Sequence, residues 1–215
     1  MKSTFLMPAV FGIALATSAN AVTFDASTDF FAASDIAYTE TFSDFGEATI
    51  ALTGPLTFGS GLVVSSESND LFIAGTGQSS NDSAAVGTNS PRSDTLTLAL
   101  GGFFSAVGLD IFQNNAGGGQ LSGESSYTLE AFNDGLLVES FTTDVEPNGG
   151  SFFGFTSLNL FDTLVVSSNI SLFEVVDNVS AGTTIAAVPL PASSLLLLVG
   201  LGGLAATRRR KTPTV

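Results

Sequence analysis

The chain has 215 residues, with 6 Lys plus Arg against 20 Asp plus Glu, no His, no Cys and no Trp, for a formal net charge of −14. Those absences exclude disulfides, thiolate nucleophiles, imidazole zinc sites and Ser-His-Asp triads within the chain. Between residues 22 and 207 the lone cation, Arg92, faces all 20 acids, so this stretch repels phosphate and nucleic acid is excluded as a partner. A hydrophobic share of 44%, with 19 Phe and 23 Gly, is enough to build a packed core and is unlike a disordered acidic tail.

In chain order, Met1-Lys2-Ser3-Thr4 supplies a positive start, and Phe5 to Ala16 is apolar or small. Ser18-Ala19-Asn20-Ala21 follows, with small side chains at Ala19 and Ala21. This is the pattern of a secretory signal peptide, residues 1–21, cut after Ala21 by signal peptidase. The apolar run is short of the ~20 residues a bilayer span needs.

From Val22 the hydrophobic period becomes two, and residues 22–187 read as one β-domain. A short helix is predicted through Asp29-Phe30-Phe31-Ala32-Ala33, capped by Ser27, with Phe30 and Phe31 both turned to the core. Strands are predicted at Thr95–Leu100, Val107–Phe112, Tyr127–Phe132, Leu136–Phe141 and Phe173–Val179. Asn133-Asp134-Gly135 is a hairpin turn between two of them. Gly75 to Asn89 and Asn114 to Gly119, rich in Gly, Ser and Asn, are predicted loops. Leu62-Val63-Val64-Ser65-Ser66 returns as Leu164-Val165-Val166-Ser167-Ser168, an echo too short to establish duplication. Phe103, Phe104, Phe152, Phe153 and Phe155, all near glycines, are assigned to the core. Many short strands without helical spacing between them predict an all-β fold, a jelly-roll-like antiparallel β-sandwich.

Residues 188–215 begin with Val188-Pro189-Leu190-Pro191-Ala192. The run from Ala192 to Ala206 carries no charge; as a single hydrophobic helix its 15 residues rise ~22 Å, short of the ~30 Å hydrocarbon core. Arg208, Arg209, Arg210 and Lys211 then form a basic cluster that holds the tail on the cytoplasmic side. These residues describe a weak stop-transfer segment with the body outside.

That three-part terminus resembles a PEP-CTERM sorting signal in its VPLPA form, with Leu190 where Glu usually stands. The resemblance implies an exosortase substrate: exported through the inner membrane, transiently anchored there, cut by the membrane-embedded protease, and released to the cell surface or an exopolysaccharide matrix. The body, too, resembles the β-sandwich region found upstream of such tails, through Phe30-Phe31-Ala32-Ala33, Thr39 to Phe45, Ser105 to Asp110, Phe153 to Ser157 and Val176 to Val179. That group is similar to carbohydrate-binding jelly rolls and implies no particular activity.

With His and Cys gone, carboxylates carry what chemistry remains. A glycosidase needs two of them ~5 to 9.5 Å apart; Asp110, Glu130 and Glu139 are the acids on neighbouring predicted strands. A structural Ca2+ needs only hard oxygen ligands. Glu40 and Asp177 are its candidate ligands, at the positions where jelly-roll modules hold an ion between chain ends, with Asn178 completing the shell. The functional expectation is an exported structural or adhesive β-sandwich without enzymatic activity. The alternatives are a glycan-binding module, Ca-stabilised or not, and a carboxylate-dependent glycoside hydrolase.

Overall fold

The computed structural model describes residues 21–45, 50–75, 83–88, 94–114, 125–145, 150–169 and 173–185. The leader through Asn20 and the sorting motif, hydrophobic run and basic cluster of 188–215 lie outside these described residues. One compact unit closes at Thr184; of the second, Ile185–Val215, Ile185 alone is described.

The elements in chain order are β1 (Val22–Phe24), α1 (Ser27–Ala33), β2 (Ser34–Glu40), β3 (Ile50–Thr53), β4 (Leu56–Thr57), β5 (Val63–Ser66), β6 (Asp70–Ala74), β7 (Ala85–Thr88), β8 (Leu96–Asn114), β9 (Ser125–Asn133), β10 (Leu136–Val145), β11 (Gly150–Ser168) and β12 (Phe173–Thr184). Every pairing among them is antiparallel.

The frame is a ribbon of two long strands. β8 and β11 pair from Leu96↔Val166 to Phe112↔Gly150. Over the first part of β8 the ribbon is flanked by β5 and, beyond β11, by β9 and β10. Over the second part it is flanked by β12 and, beyond β11, by β1; β12 then pairs with β2 at one end and β7 at the other, leading on to β6 and β3. The register shifts between these two parts. Residues 157–160 of β11 stand against Ser105, and residues 100–103 of β8 stand against Asp162. Paired bulges of this kind bend both strands together. The bend brings Leu96, Leu98 and Leu100 into the same buried cluster as Val107, Leu109 and Ile111, together with Leu129, Phe155, Phe161, Leu164, Val176 and Val179. The two sheet halves thus enclose one core, and each large apolar side chain within it contributes ~1.5–3 kcal/mol.

Gly101 makes the bend possible. Its φ is +75°, and a Cβ there would lie 2.6 Å from the Gly61 carbonyl oxygen, so both the backbone conformation and the close approach demand glycine. Beside it the Tyr38 hydroxyl donates to Leu100 O at 2.9 Å. Burial, and then the nearby Glu40 carboxylate, hold the Tyr38 phenol well above its ordinary range.

Several sequence expectations meet the structure directly. Asp134 and Gly135 have φ of 49° and 78°, the tight hairpin turn that Asn-Asp-Gly foretold. The two Leu-Val-Val-Ser-Ser echoes flank the same stretch of β8 from opposite sides: Val64 and Leu164 both face Leu98. The two copies stand two residues out of register with each other on β8, since Val166, which corresponds to Val64, faces Leu96. Gly75 to Asn89 is not all loop. Ala85–Thr88 forms β7, fully buried between β6 and β12, because Ala84-Ala85-Val86 is an apolar run whatever its polar flanks suggest. The second predicted loop yields its first residue, Asn114, to β8.

Candidate functional site

The core face of the second sheet half is apolar. Its outer face carries the chemistry. On β8, Val107, Leu109 and Ile111 point into the core, so Gly108 and Asp110 point out. Gly108 pairs directly with Gly154 of β11, leaving a patch of sheet with no side chains. α1 sits there. Phe30 fills the patch completely buried: a Cβ on Gly108 would come within 2.7 Å of the Phe30 and Phe152 rings, and one on Gly154 within 2.8 Å of Phe30.

A helix turns ~100° per residue, so Phe30 and Phe31 cannot both face the sheet. Phe31 is 44% exposed, which corrects its assignment to the core. Its ring lies 5.5 Å from Phe30 and 6.3 Å from Phe152 between centroids. The expected cap is corrected too. Ala26 occupies the N-cap in an extended conformation with no side-chain hydrogen bond, and Ser27 is the first helical residue. Among the other glycine-flanking rings, Phe153 and Phe155 are core as expected. Phe104 packs partly buried against the core, Phe152 is half-buried on the outer face, and Phe103 is 53% exposed at the bend.

The polar wall comes from β12. A register shift between Asp177 and Ser180 inserts one extra residue, and Asn178 takes a left-handed φ of 51°, a conformation Asn tolerates. Its backbone N donates to Asp177 Oδ1 at 2.7 Å. Its side-chain Nδ2 donates to Asp110 Oδ2 at 2.6 Å across the strands. Asp110 is half-buried, and burial holds its carboxyl above the ordinary 3.8, with the Asn178 donation opposing the rise. Ser180 donates to Asn178 O at 3.3 Å and shares a 2.8 Å hydroxyl contact with Thr39 of β2. Ser27, Phe31, Thr39, Asp110, Phe152 and Asn178 together line a recess of about 250 Å³. One side of it is aromatic; the other offers a carboxylate, an amide and hydroxyls.

The remaining predicted site residues are elsewhere. Glu40 pairs with Val179, whose side chain is in the core cluster, and accepts a hydrogen bond from Ser60 at 2.8 Å. Asp177 is fully buried opposite Asp110, on the outer face. The two candidate Ca2+ ligands therefore lie on opposite faces and are not brought together. Among the described residues no three acidic side chains converge to hold a metal ion. The three candidate acids do not share a cleft either. Glu130 stands across from Val165 near one end of β11, whereas Asp110 stands across from Phe152 near the other. Glu139 accepts from Ser157 Oγ at 2.9 Å.

Sequence reasoning touched most of the recess residues but in other roles: Ser27 as a cap, Phe31 and Phe152 as core, Asp110 as an acid, Asn178 as a metal-shell residue. The signals that would have joined them were the adjacent Phe pair on a helix and the Asp177-Asn178 interruption of an apolar strand.

A second recess of about 310 Å³ lies between β1 and β10, lined by threonines, Asp25 and the Phe24, Phe141 and Phe153 rings. No helix of the described residues is long and apolar enough to cross a membrane.

No protein-family model and no curated protein sequence matches the chain. Among solved structures it is similar to the carbohydrate-binding and GH10 modules of a Clostridium thermocellum endo-1,4-β-D-xylanase complexed with xylohexaose, at 12% identity and a TM-score of 0.42 over 72% of this chain. The match spans 30% of that xylanase chain's length. A family 29 carbohydrate-binding module, solved as a mutant probing ligand recognition, matches 67% of this chain and 98% of its own, at 10% identity and a TM-score of 0.39. The family 32 carbohydrate-binding module of C. perfringens NanJ, in complex with galactose, matches the same shares at 14% identity and a TM-score of 0.34.

Proposed function

We propose that this chain is an exported, surface-sorted protein whose jelly-roll-like body adheres to glycan through the recess of Phe31, Phe152, Asp110 and Asn178. The observation that carries the reading is the pairing of a half-exposed phenylalanine with a hydrogen-bonded carboxylate–amide couple in one concave site. A pyranose has an apolar C–H face and a rim of hydroxyls. The two rings suit the face; Asp110, Asn178 and Thr39 suit the rim, the carboxylate accepting from hydroxyls and the amide both donating and accepting. Trp is absent, and both Tyr hydroxyls are committed inward, to Leu100 O and Phe112 O, so Phe supplies the platform. At about 250 Å³ the recess is below the ~300 Å³ lower end of drug-sized pockets and takes one sugar unit or a chain end.

Delivery rests on the sequence. The leader ending at Ala19 and Ala21, the Val188 to Ala192 motif and the Arg208 to Lys211 cluster fit export, transient anchoring in the inner membrane and release by an exosortase to the surface or exopolysaccharide matrix. The proposal assigns the body no reaction of its own.

Two experiments test it. Labelled protein applied to a glycan array is expected to bind a narrow set of neutral or cationic saccharides, since a body carrying one cation against 20 acids repels anionic polymers. Uniform absence of binding overturns the glycan reading. Intact mass of the protein recovered from the producing bacterium is expected to show both ends removed; an unchanged mass after exosortase deletion overturns the sorting reading.

A further inference from the structure

Four leucines are exposed on the bend and at the start of β10. Leu158 (71% exposed) and Leu160 (48%) lie on the bulge of β11, and Leu136 (74%) and Leu137 (55%) begin β10. A groove of about 490 Å³ runs between Leu136, Leu137 and Leu160, edged by Asn133, Asp134 and Asn159. Exposed clusters of this kind mark surfaces that meet something apolar. The bulge is held in place: Ser157 Oγ donates to Glu139 Oε1 at 2.9 Å and accepts from the Asn159 backbone N at 3.0 Å. Fixed backbone therefore presents these leucines to the outside.

The compact body ends at the same bend. Thr184 N donates to Ser105 Oγ at 2.8 Å, and its hydroxyl lies 3.0 Å from Ser105 O and 3.2 Å from Ser157 O. Ile185 follows, 52% exposed. The chain thus departs beside the residue that precedes Leu158. The step from Thr184 to Ala192, where the charge-free run starts, covers at most ~30 Å at ~3.3–3.6 Å per residue.

We propose that this leucine rim is a lipid-facing surface, resting on the headgroup–acyl boundary of a zwitterionic bilayer while the tail is inserted. The inference rests on the export reading above. The tether supplies a high effective concentration, so a contact too weak to bind alone is made when the tail is in place. Aliphatic side chains without polar partners suit an acyl boundary better than a sugar. A second copy would bring another body of one cation and 20 acids and be repelled. Anionic headgroups are repelled as well, because the carboxylates at this edge include Asp134, Asp162, which accepts from Asp134 N at 3.2 Å, and Glu139, which accepts from Ser157.

The chain has no Cys, so one introduced thiol labels it at one place. Full-length protein carrying a polarity-sensitive fluorophore at Asn159→Cys, or at Glu67→Cys on the turn between β5 and β6 away from the bend, is reconstituted into phosphatidylcholine vesicles with quencher-bearing acyl chains. The expected result is that both proteins float with the vesicles and that the Asn159 label is quenched several-fold more than the Glu67 label. Adding Leu158→Ser and Leu160→Ser is expected to remove that difference while flotation persists, and added phosphatidylglycerol to weaken it at low salt. Flotation with equal quenching at both positions overturns the rim alone. Concentration-dependent self-quenching at Asn159 without lipid assigns the rim to a second copy and overturns it too. Failure to float removes the tail-insertion reading and the rim proposal with it.

Discussion

Two adjoining stretches of β11 have opposite fates. From Phe152 to Thr156 the strand alternates between core and outer face, and α1 covers the outer face by seating Phe30 on Gly108 and Gly154. From Ser157 to Leu160 the strand bulges out of register and nothing among the described residues covers its leucines. Both stretches carry large apolar side chains at alternate positions, Phe153 and Phe155 in one and Leu158 and Leu160 in the other. What separates them is register and the presence of a covering element, and the two surfaces that result differ in kind: a small recess with polar groups, and an open aliphatic rim.

Removing the cover should have the largest effect. Phe30→Ala deletes a fully buried ring that plugs a side-chain-free patch, and is expected to destabilise by ~3–5 kcal/mol in denaturant unfolding. A loss under ~1 kcal/mol would mean that α1 is not held by this ring. Filling the patch from below comes next. In Gly108→Ala the new Cβ meets the Phe30 and Phe152 rings at 2.7 Å, and the expected loss is ~1–3 kcal/mol as the rings shift. An unchanged midpoint would show the contact to be loose.

The neighbouring ring sharpens the contrast. Phe31→Ala removes a half-exposed side chain and is expected to change stability by about 0.5 kcal/mol or less, several-fold below Phe30→Ala. Equal losses at both positions would contradict the division of labour along the helix.

The smallest effect is electrostatic. Burial raises the Asp110 carboxyl in the folded state above its ordinary 3.8. The folded protein therefore holds this proton where the unfolded chain has lost it, and stability from this group falls as pH rises from 3.8 through the folded value. Asp110→Asn removes the dependence. Melting temperatures of variant and parent should converge at pH below 3.8 and separate in the variant's favour toward neutrality. A gap independent of pH would show that Asp110 is not shifted.

The fold was legible where periodicity was clean. Thr95 to Leu100 and Tyr127 to Phe132 alternate, and the Asn133-Asp134-Gly135 turn joins β9 to β10 as its residues demand. β7 was hidden because four buried residues carry little pattern between polar flanks. The recess was less legible. Its residues come from α1, β2, β8, β11 and β12, and its shape depends on a bulge at Asn178 and a glycine pair at Gly108 and Gly154 that acquires meaning once β8 and β11 are in register. The pairing of Glu40 with Asp177 failed for a related reason: proximity along β2 and β12 does not say which face each carboxylate takes.

Calorimetric titration of an array-selected oligosaccharide into the parent protein and Phe31→Ala, side by side, reads the contribution of the exposed ring to glycan binding. Saturable binding to the parent is expected, with at least about a tenfold loss, ~1.4 kcal/mol, in the variant at unchanged melting temperature. Equal affinity for the two proteins would contradict it and move any glycan contact away from this recess.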